Sequence, residues 1–247
     1  MAAGDFEELI RLPEDFDGHV RLFPLPALVL FPHAMQMLHI FEPRYCEMLT
    51  EALETDHLIA MATLTGGPSI GAAPPIASTI CVGRVVSHVK LESDRHNILL
   101  VGIKRAKILT EVDAGRCFRI ARVDVLDDLY PPSGSPQRSQ LRADLLNAFG
   151  EAIPATQKVQ EQIADLMSGS MGLGPITDII SHTLPIEVER KLQLLAEPDV
   201  DGRAQQLIEL LSSGQVQLEL PDSENSDSEE FPPRPANLPF PPPFSAN

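Results

Sequence analysis

The chain has 247 residues, of which 43% are hydrophobic and 22% charged, enough apolar material for one large domain or two small ones. The formal net charge of −16 disfavours nucleic acid as a ligand, because that affinity comes largely from neutralising phosphates with basic side chains. Three widely spaced cysteines argue against a disulfide scaffold or zinc finger. An acidic N-terminus and the lack of an apolar run of roughly 18 residues predict a cytoplasmic protein without a signal peptide or membrane span.

The first third of the chain predicts short strands and one helix. Residues 1–18 are acidic and predict a flexible leader. The two apolar runs within 22–32 are broken by prolines and predict short edge strands or extended segments, because proline cannot occupy a helix interior. Residues 35–41 alternate in polarity and predict another strand. Pro43 precedes an apolar stripe from Tyr45 to Leu53, which is typical of an amphipathic helix.

The clearest strand signal follows that helix. Residues 80–91 and 98–103 are rich in valine and isoleucine on either side of a polar turn, which predicts a hairpin. Residues 106–112 and 118–125 predict two further strands. Short strands at this spacing favour a small barrel, so we assign residues 19–130 to a β-barrel subdomain.

The periodicity changes from strand-like to helical after Tyr130. A proline-rich linker at 131–136 is followed by apolar residues at helical spacing, which predict four or five helices. We assign residues 136–214 to a C-terminal α-helical bundle. The acidic and proline-rich residues 221–247 predict a disordered tail. The predicted fold class is therefore α+β, with a β-barrel followed by a helical bundle.

Several sequence blocks occur in an order that resembles a known family. The blocks are Phe-Pro-Leu-Pro at 23–26, Val-Leu-Phe-Pro at 29–32, Leu-His-Ile-Phe-Glu-Pro-Arg-Tyr at 38–45, Val-Gly-Arg-Val at 82–85 and Val-Gly-Ile-Lys-Arg-Ala-Lys-Ile at 101–108. Together with the helical segment 176–211, they resemble the N-terminal, substrate-binding domain of Lon proteases. The resemblance covers roughly residues 20–213.

This resemblance implies a PUA-like β-barrel followed by a helical bundle. It also implies a domain that engages unfolded or tagged polypeptides on behalf of an ATPase. The sequence contains no G-x-x-x-x-G-K-[ST] phosphate loop, and only 34 residues follow residue 213, where the resemblance ends. We therefore expect a stand-alone form of the domain, without ATPase or peptidase domains.

The most specific block is the Phe-Glu-Pro-Arg-Tyr segment, and its residues favour a structural role. Glu42 is placed to cap the helix that Pro43 begins, since a carboxylate is favoured at a helix N-terminus. Tyr45 falls on the apolar stripe, and Arg44 is expected to pair with Glu42 or with a neighbouring carboxylate. Contact with a peptide is the alternative role.

A candidate peptide-binding surface lies just before this block. The segment holds more apolar residues than one strand face needs, and an open strand edge can accept an extended peptide. The candidate residues are Leu30, Phe31, Met35, Met37 and Leu38. The alternative is that these side chains fill the core.

The sequence offers no convincing catalytic or metal-binding motif. Residues 168–172 lack the G-x-S-x-G pattern of a nucleophile turn and are interpreted as a helix–helix connection. His88 and His96 flank the hairpin turn near Cys81, but zinc needs three or four convergent ligands, so we interpret both as exposed histidines. We therefore expect a protein that is not an enzyme and uses no cofactor or metal.

The function predicted from the sequence is non-catalytic binding of unfolded or extended polypeptide, with a separate protease or chaperone as a further candidate partner. One alternative is RNA binding through a PUA-like barrel that uses the basic run Lys104, Arg105 and Lys107, although a solvated strand face explains this run equally well. Another alternative is a structural module with no ligand of its own. The sequence leaves the oligomeric state open.

Overall fold

The computed structural model describes residues 11–66, 73–134, 136–152 and 171–213. These residues fall into two compact units, one ending at Leu126 and the other beginning at Asp127. The fold class is α+β, as predicted: a mixed sheet in the first unit and a set of helices in the second. The predicted tail at 221–247 and residues 153–170 lie outside the described residues.

The first unit contains the sheet and one helix. In chain order its elements are β1 (His19–Leu25), β2 (Met35–Ile40), α1 (Pro43–Glu54), β3 (Leu58–Thr63), β4 (Thr79–Lys90), β5 (His96–Val112) and β6 (Arg119–Leu126). The strand predicted at 35–41, the helix predicted at Pro43 and the hairpin of β4 and β5 are confirmed. The run at 28–32 is not a strand.

The strands pair in the order β2-β5-β4-β3-β1-β6, and β5 also pairs with β6. The pairings therefore run from β5 through β4, β3, β1 and β6 and return to β5. β1 and β3 are parallel, whereas the other pairs are antiparallel. Within the described ranges β2 pairs with β5 alone, so it forms an edge outside this circuit. A closed circuit is what the predicted barrel requires, but the PUA-like barrel itself stays a prediction.

β1 tolerates a proline because its two neighbouring strands, β6 and β3, pair with different halves of it. β6 pairs with residues 19–22, and β3 pairs with residues 22–25. Pro24 therefore has β3 on one side and no strand on the other. Its nitrogen faces the open side, so the missing N–H removes no ladder hydrogen bond. The prediction of an edge strand here holds for the second half of β1, whereas its first half lies between two strands.

The two strands predicted at 98–103 and 106–112 are one continuous strand of 17 residues. The intervening polar pair does not end β5, because Lys104 and Arg105 remain paired with β4 opposite Val82 and Cys81. A register shift near Ile108 lets the same strand continue into its pairing with β6. The prediction of a strand boundary was therefore wrong.

The prediction of a flexible leader over residues 1–18 was wrong for residues 11–18. Leu12 and Phe16 are partly buried against the core of the first unit, and the carbonyl of Gly18 accepts a hydrogen bond of 2.8 Å from the Val123 N–H. These apolar side chains lose exposed surface when they cover the core, which stabilises the segment. Residues 1–10 lie outside the described part of the chain.

One buried cluster in the core of the first unit is built by the strands of the circuit. Each of the five strands contributes side chains, many of them small, and β2 contributes none. The buried members are Val20, Leu22, Leu58, Ala60, Ala62, Ile80, Val82, Ile103, Ala106, Ala121 and Val123. The core therefore depends on all five strands being in register.

The second unit contains four helices within the described residues. They are α2 (Arg138–Ala152), α3 (Leu173–Thr183), α4 (Val188–Ala196) and α5 (Val200–Ser212). α5 packs against α2 and α3, and α3 also packs against α4. Four or five helices were predicted, and their arrangement as a bundle stays a prediction.

The boundary predicted at Tyr130 lies too late in the chain. Residues 127–130 belong to the second unit, because Leu129 forms a parallel bridge with Asp199 and Asp128 binds Arg203. A turn rich in proline follows this segment, and the composition change marks that turn rather than the structural boundary.

The second unit is organised around the fully buried side chain of Arg203. Its Nη1 and Nη2 donate to the two carboxylate oxygens of Asp128 at 2.9 and 3.0 Å. Its Nε donates to Thr177 Oγ1 at 3.1 Å, and Nη1 also donates to the carbonyl of Glu197 at 2.9 Å. The buried carboxylate of Asp178 lies 3.6 Å from Nη2. One guanidinium thus connects α3, α5 and the segment that leads into the unit.

Candidate functional site

The Phe-Glu-Pro-Arg-Tyr segment places Glu42 at the N-cap of α1 with Pro43 at the first helical position. The predicted capping by the Glu42 side chain does not occur, since its carboxylate makes no hydrogen bond with the helix backbone. Instead Glu42 Oε2 accepts from Arg44 Nε at 3.0 Å and from Nη2 at 2.8 Å. The charge-assisted pair with Arg44 competes successfully with capping. The Arg44–Glu42 pair that the sequence predicted is therefore present.

Tyr45 joins α1 to β1. Its ring is buried against Phe23, with the two ring centroids 4.6 Å apart, and the Arg44 guanidinium carbon lies 4.5 Å from the centroid of the Tyr45 ring. Burial raises the pKa of Tyr45. These contacts support the structural role predicted for the segment.

Three of the five predicted peptide-contact residues lie inside the protein. Leu30, Phe31 and Met35 are buried, so an incoming chain cannot touch their side chains without displacing the fold. Met37 and Leu38 on β2 are partly buried and reach the surface. The structure therefore separates the predicted set into core residues and two surface candidates.

Phe41, which was not among the predicted contact residues, is the most exposed large hydrophobic side chain in the described part of the chain. Phe41 is 62% exposed and follows β2 directly. Its ring stacks on that of His39 at 5.8 Å, and His39 Nδ1 lies 2.7 Å from Asn97 Oδ1. Period-two alternation along β2 places Met37, His39 and Phe41 on one face, and this pattern could have identified Phe41.

The basic run on β5 does not form one exposed stripe. Arg105 is only 3% exposed, Lys104 is half-buried, and Lys107 is exposed. The prediction of a solvated strand face was therefore wrong for Arg105. A phosphate-binding surface built on these three residues would lack its central guanidinium.

His88 and His96 contact each other, contrary to the prediction that both are exposed. His88 Nε2 and His96 Nδ1 lie 2.7 Å apart, the rings stack at 5.0 Å, and His96 is buried. The antiparallel register of β4 and β5 brings the two histidines together next to the turn. Burial is the largest cause of a lowered pKa in each ring. The neighbouring His96 ring and Lys90 lower the pKa of His88 further. For His96, Asp94 raises the pKa and Lys90 lowers it, and both effects are smaller than that of burial.

The family model that matches this chain describes the substrate-binding domain of the ATP-dependent protease La (Lon), and it matches residues 19–213. The chain belongs to this family. The match confirms the resemblance inferred from the sequence blocks, and it includes both the strands of the first unit and the helices of the second.

Curated relatives of this Lon substrate-binding domain include two bacterial Lon proteases. The chain is 26% identical to Lon protease of Heliobacterium modesticaldum over 203 residues, which cover 81% of this chain and 24% of the relative. It is 24% identical to Lon protease 1 of Bacillus subtilis over 213 residues, covering 85% and 27% respectively. The chain thus spans about a quarter of the length of these relatives.

Solved structures support the same fold. The Lon N-terminal domain protein from Xanthomonas campestris is 19% identical, with a TM-score of 0.52, and the similarity covers 77% of this chain and 97% of that one. The N-terminal domain of the Mycobacterium avium complex Lon protease is 14% identical, with a TM-score of 0.60, covering 78% and 98%. At these identities the similarity establishes the fold alone.

The titratable side chains within the described ranges form no metal site. No group of three or more His, Cys, Asp or Glu side chains there could hold a metal ion.

Burial lowers the pKa of Lys191 to about 8, and its Nζ donates to the His182 carbonyl at 2.8 Å, near the end of α3. This contact satisfies a helix C-terminal carbonyl, which is an ordinary structural role for lysine. Residues 168–170 of the segment considered as a nucleophile turn lie outside the described part.

Among the residues that the structure describes, no helix combines the length and the apolar character needed to cross a membrane.

The histidine pair predicts a stability that falls on acidification. Because burial lowers both imidazole pKa values in the folded state, the unfolded chain binds protons more readily, and stability is lost as the pH falls below about 6.5. Melting temperatures measured between about pH 8 and about pH 5.5 should show this decline, in the range where histidine titrates.

The control for this measurement is His19, which lies on the surface beside Asp17. Replacement of both His88 and His96 by glutamine should flatten the pH dependence more than His19→Gln does. An undiminished slope in the double variant would contradict the assignment to the buried pair.

Proposed function

We propose that this Lon substrate-binding domain is a non-catalytic module that binds unfolded or extended polypeptide. The observation that carries the proposal is the edge strand β2, where Met37 and Leu38 reach the surface and the exposed Phe41 follows. Edge strands accept extended chains through main-chain hydrogen bonds, and neighbouring apolar side chains add affinity with little dependence on sequence. Membership of a substrate-binding family supports polypeptide as the ligand class.

The proposed architecture is a PUA-like barrel followed by a helical bundle, with β2 attached outside the barrel. Leu30, Phe31 and Met35 support the site from the interior, and Met37 and Leu38 contact the ligand. The circuit of strand pairings supports the barrel, because a sheet that returns to its first strand has closed on itself.

We further propose a separate protease or chaperone as the partner that receives the bound polypeptide, and the cytoplasm as the compartment. The relatives that this chain matches are named Lon proteases, and the matched part of this chain lies within a substrate-binding domain family. The three cysteines are free, which fits a reducing compartment.

Salt dependence separates polypeptide binding from RNA binding. A labelled, reduced and alkylated unfolded protein and a labelled single-stranded RNA are titrated with the domain at low and high ionic strength. Polypeptide affinity should change by less than about threefold, because burial of apolar groups and main-chain pairing depend weakly on salt. RNA affinity, if present, should fall by at least about tenfold over a roughly fourfold rise in salt.

A result of tight, salt-sensitive RNA binding without any polypeptide signal would overturn the proposed function. The variant Lys104→Ala with Lys107→Ala serves as the control, since both side chains reach the surface. It should leave polypeptide binding unchanged and should weaken any residual binding of RNA.

A further inference from the structure

We infer that the bound polypeptide adds as a strand along β2 between Met37 and Phe41, and that it presents uncharged apolar or aromatic side chains at alternate positions. This inference rests on the proposed function and specifies the atoms and the ligand chemistry of that site.

The pairing register shows which main-chain groups of β2 point away from β5. The Gly102 N–H donates to the Ala34 carbonyl at 2.9 Å, so Ala34 faces β5 at the start of the ladder. Hydrogen-bonded and non-hydrogen-bonded pairs alternate in an antiparallel ladder. Residues 36, 38 and 40 therefore bond to β5, whereas Met35, Met37 and His39 direct their N–H and C=O groups outward.

Exposure limits docking to the second half of this edge. Met35 is buried, so its outward groups are covered, and Ile40 is buried as well. Met37 is half-buried, His39 is exposed, and Phe41 is 62% exposed. A docked strand therefore begins at Met37, pairs again at His39 and reaches Phe41.

One of the outward acceptors is already occupied by an amide from the same strand. Gln36 Nε2 donates to the Met37 carbonyl at 2.9 Å. This contact satisfies the acceptor in the way that the N–H of an added strand would. Docking then exchanges the Gln36 amide for a main-chain N–H, and Gln36 competes with the ligand.

The chemistry of the edge specifies an uncharged, apolar ligand. From Met35 to Phe41 the sequence contains no acidic or basic side chain other than His39, in a chain of net charge −16. The nearest carboxylate along the chain, Glu42, is paired with Arg44. On the same face Met37 packs against the buried cluster of Met35, Leu99 and Val101, and the His39 and Phe41 rings stack beyond it. Cross-strand aromatic and aliphatic pairs would extend this surface.

The main-chain part of the inference is tested with peptides rather than protein variants. An uncharged peptide that alternates aromatic or aliphatic residues with serine is prepared in three forms: unmodified, N-methylated at the apolar residues, and N-methylated at the serines. Strand addition uses the N–H groups of alternate residues only. One methylated form should lose at least about tenfold in affinity and the other should stay within about twofold of the unmodified peptide.

Equal effects of the two methylation patterns would overturn the strand-addition inference while binding of the unmodified peptide left the proposed function intact. Failure of both the peptide and the unfolded protein to bind would overturn the proposed function itself. Self-association that rises with protein concentration and is abolished by the peptide would indicate that a second copy occupies the edge, and it would overturn the assigned ligand.

Two matched pairs of variants test the side-chain part. Gln36→Met should bind the unmodified peptide about twofold to tenfold more tightly, because the competing hydrogen bond is removed. Its control is Gln140→Met, at an exposed glutamine on α2 that bonds Asp144. Phe41→Ser should weaken binding by about tenfold, whereas Leu109→Ser, at a side chain 52% exposed on β5, should not.

Melting curves of each variant establish that it is folded, and Phe41 and Leu109 are both exposed enough for serine to be accommodated. Unchanged affinity in both Gln36→Met and Phe41→Ser would overturn the assignment to this edge. An equal loss in Phe41→Ser and Leu109→Ser would do the same, since it would indicate a general dependence on surface hydrophobicity.

Discussion

Replacement of Gly102 by alanine should lower the free energy of unfolding by about 3 kcal/mol or more, or prevent folded protein from accumulating. A Cβ at this position would overlap the Phe31 carbonyl oxygen and lie 2.8 Å from its carbon and 3.0 Å from Cys81 Sγ. The clashing atoms belong to the backbone of Phe31, whose side chain is fully buried, so moving either segment to relieve the overlap would disrupt packing. The segment that precedes β2 is also fixed to Gly102 by two hydrogen bonds, from the His33 N–H and to the Ala34 carbonyl.

Denaturant unfolding followed by circular dichroism measures the change in the free energy of unfolding caused by Gly102→Ala. The control is Gly172→Ala, because among the described residues a Cβ there would meet Pro175 Cδ alone, at 3.9 Å, and the backbone φ of −69° suits any residue. This control should cost less than about 1 kcal/mol. A cost for Gly102→Ala as small as that of the control would contradict the close approach of the two backbones.

Replacement of Arg203 by methionine should destabilise the second unit by about 3–5 kcal/mol. Methionine fills much of the volume but leaves the carboxylates of Asp128 and Asp178 without the guanidinium that they face. Thr177 Oγ1 and the Glu197 carbonyl lose a donor as well. Removing the charged donor from a buried hydrogen-bonded network costs far more than the net contribution of the intact pair, which explains the size of the effect.

Unfolding of the helices, followed at the wavelength of helical ellipticity, measures this loss. Arg190→Met is the matched control, since the contact of Arg190 with Gln193 on α4 lies at the surface, and this replacement should cost at most about 1 kcal/mol. Adding Asp128→Asn and Asp178→Asn to Arg203→Met should recover part of the stability. A single Arg203→Met variant as stable as the original protein would show that the buried charges do not depend on this arginine.

The elements with a strong local pattern could be predicted from the sequence. Proline at 43 followed by an apolar stripe predicted α1, and the valine-rich runs on either side of a polar turn predicted the hairpin of β4 and β5. The continuity of β5 could not be predicted in the same way. It depends on partners in β4 and β6 that hold Lys104 and Arg105 within the strand, and a local pattern contains no information about them.

The burial of charged side chains was harder to predict from the sequence than the secondary structure. Arg203 lies three residues after Val200 and four before Leu207, on the buried face of α5, so its position in the periodicity signals burial that its charge conceals. His96 gives no such signal, because its burial follows from the register with β4.

The candidate site was predictable as a region and not as a set of side chains. Leu30, Phe31, Met35, Met37 and Leu38 are all apolar, and composition does not distinguish a side chain that fills the interior from one that lines an edge. The distinction depends on which strand lies outermost. The sheet order supplies this information, and it also draws attention to Phe41.

The pairing of β1 with β6 has a consequence for the order in which the chain folds. His19 lies opposite Arg122, so the two strands that meet are separated by about 100 positions along the chain. Ala121 and Val123 of β6 are part of the core. Because closing so long a loop costs entropy before the contact repays it, such pairing forms late. During synthesis β1 must therefore wait, with one flank uncovered, until about half of the chain has emerged from the ribosome.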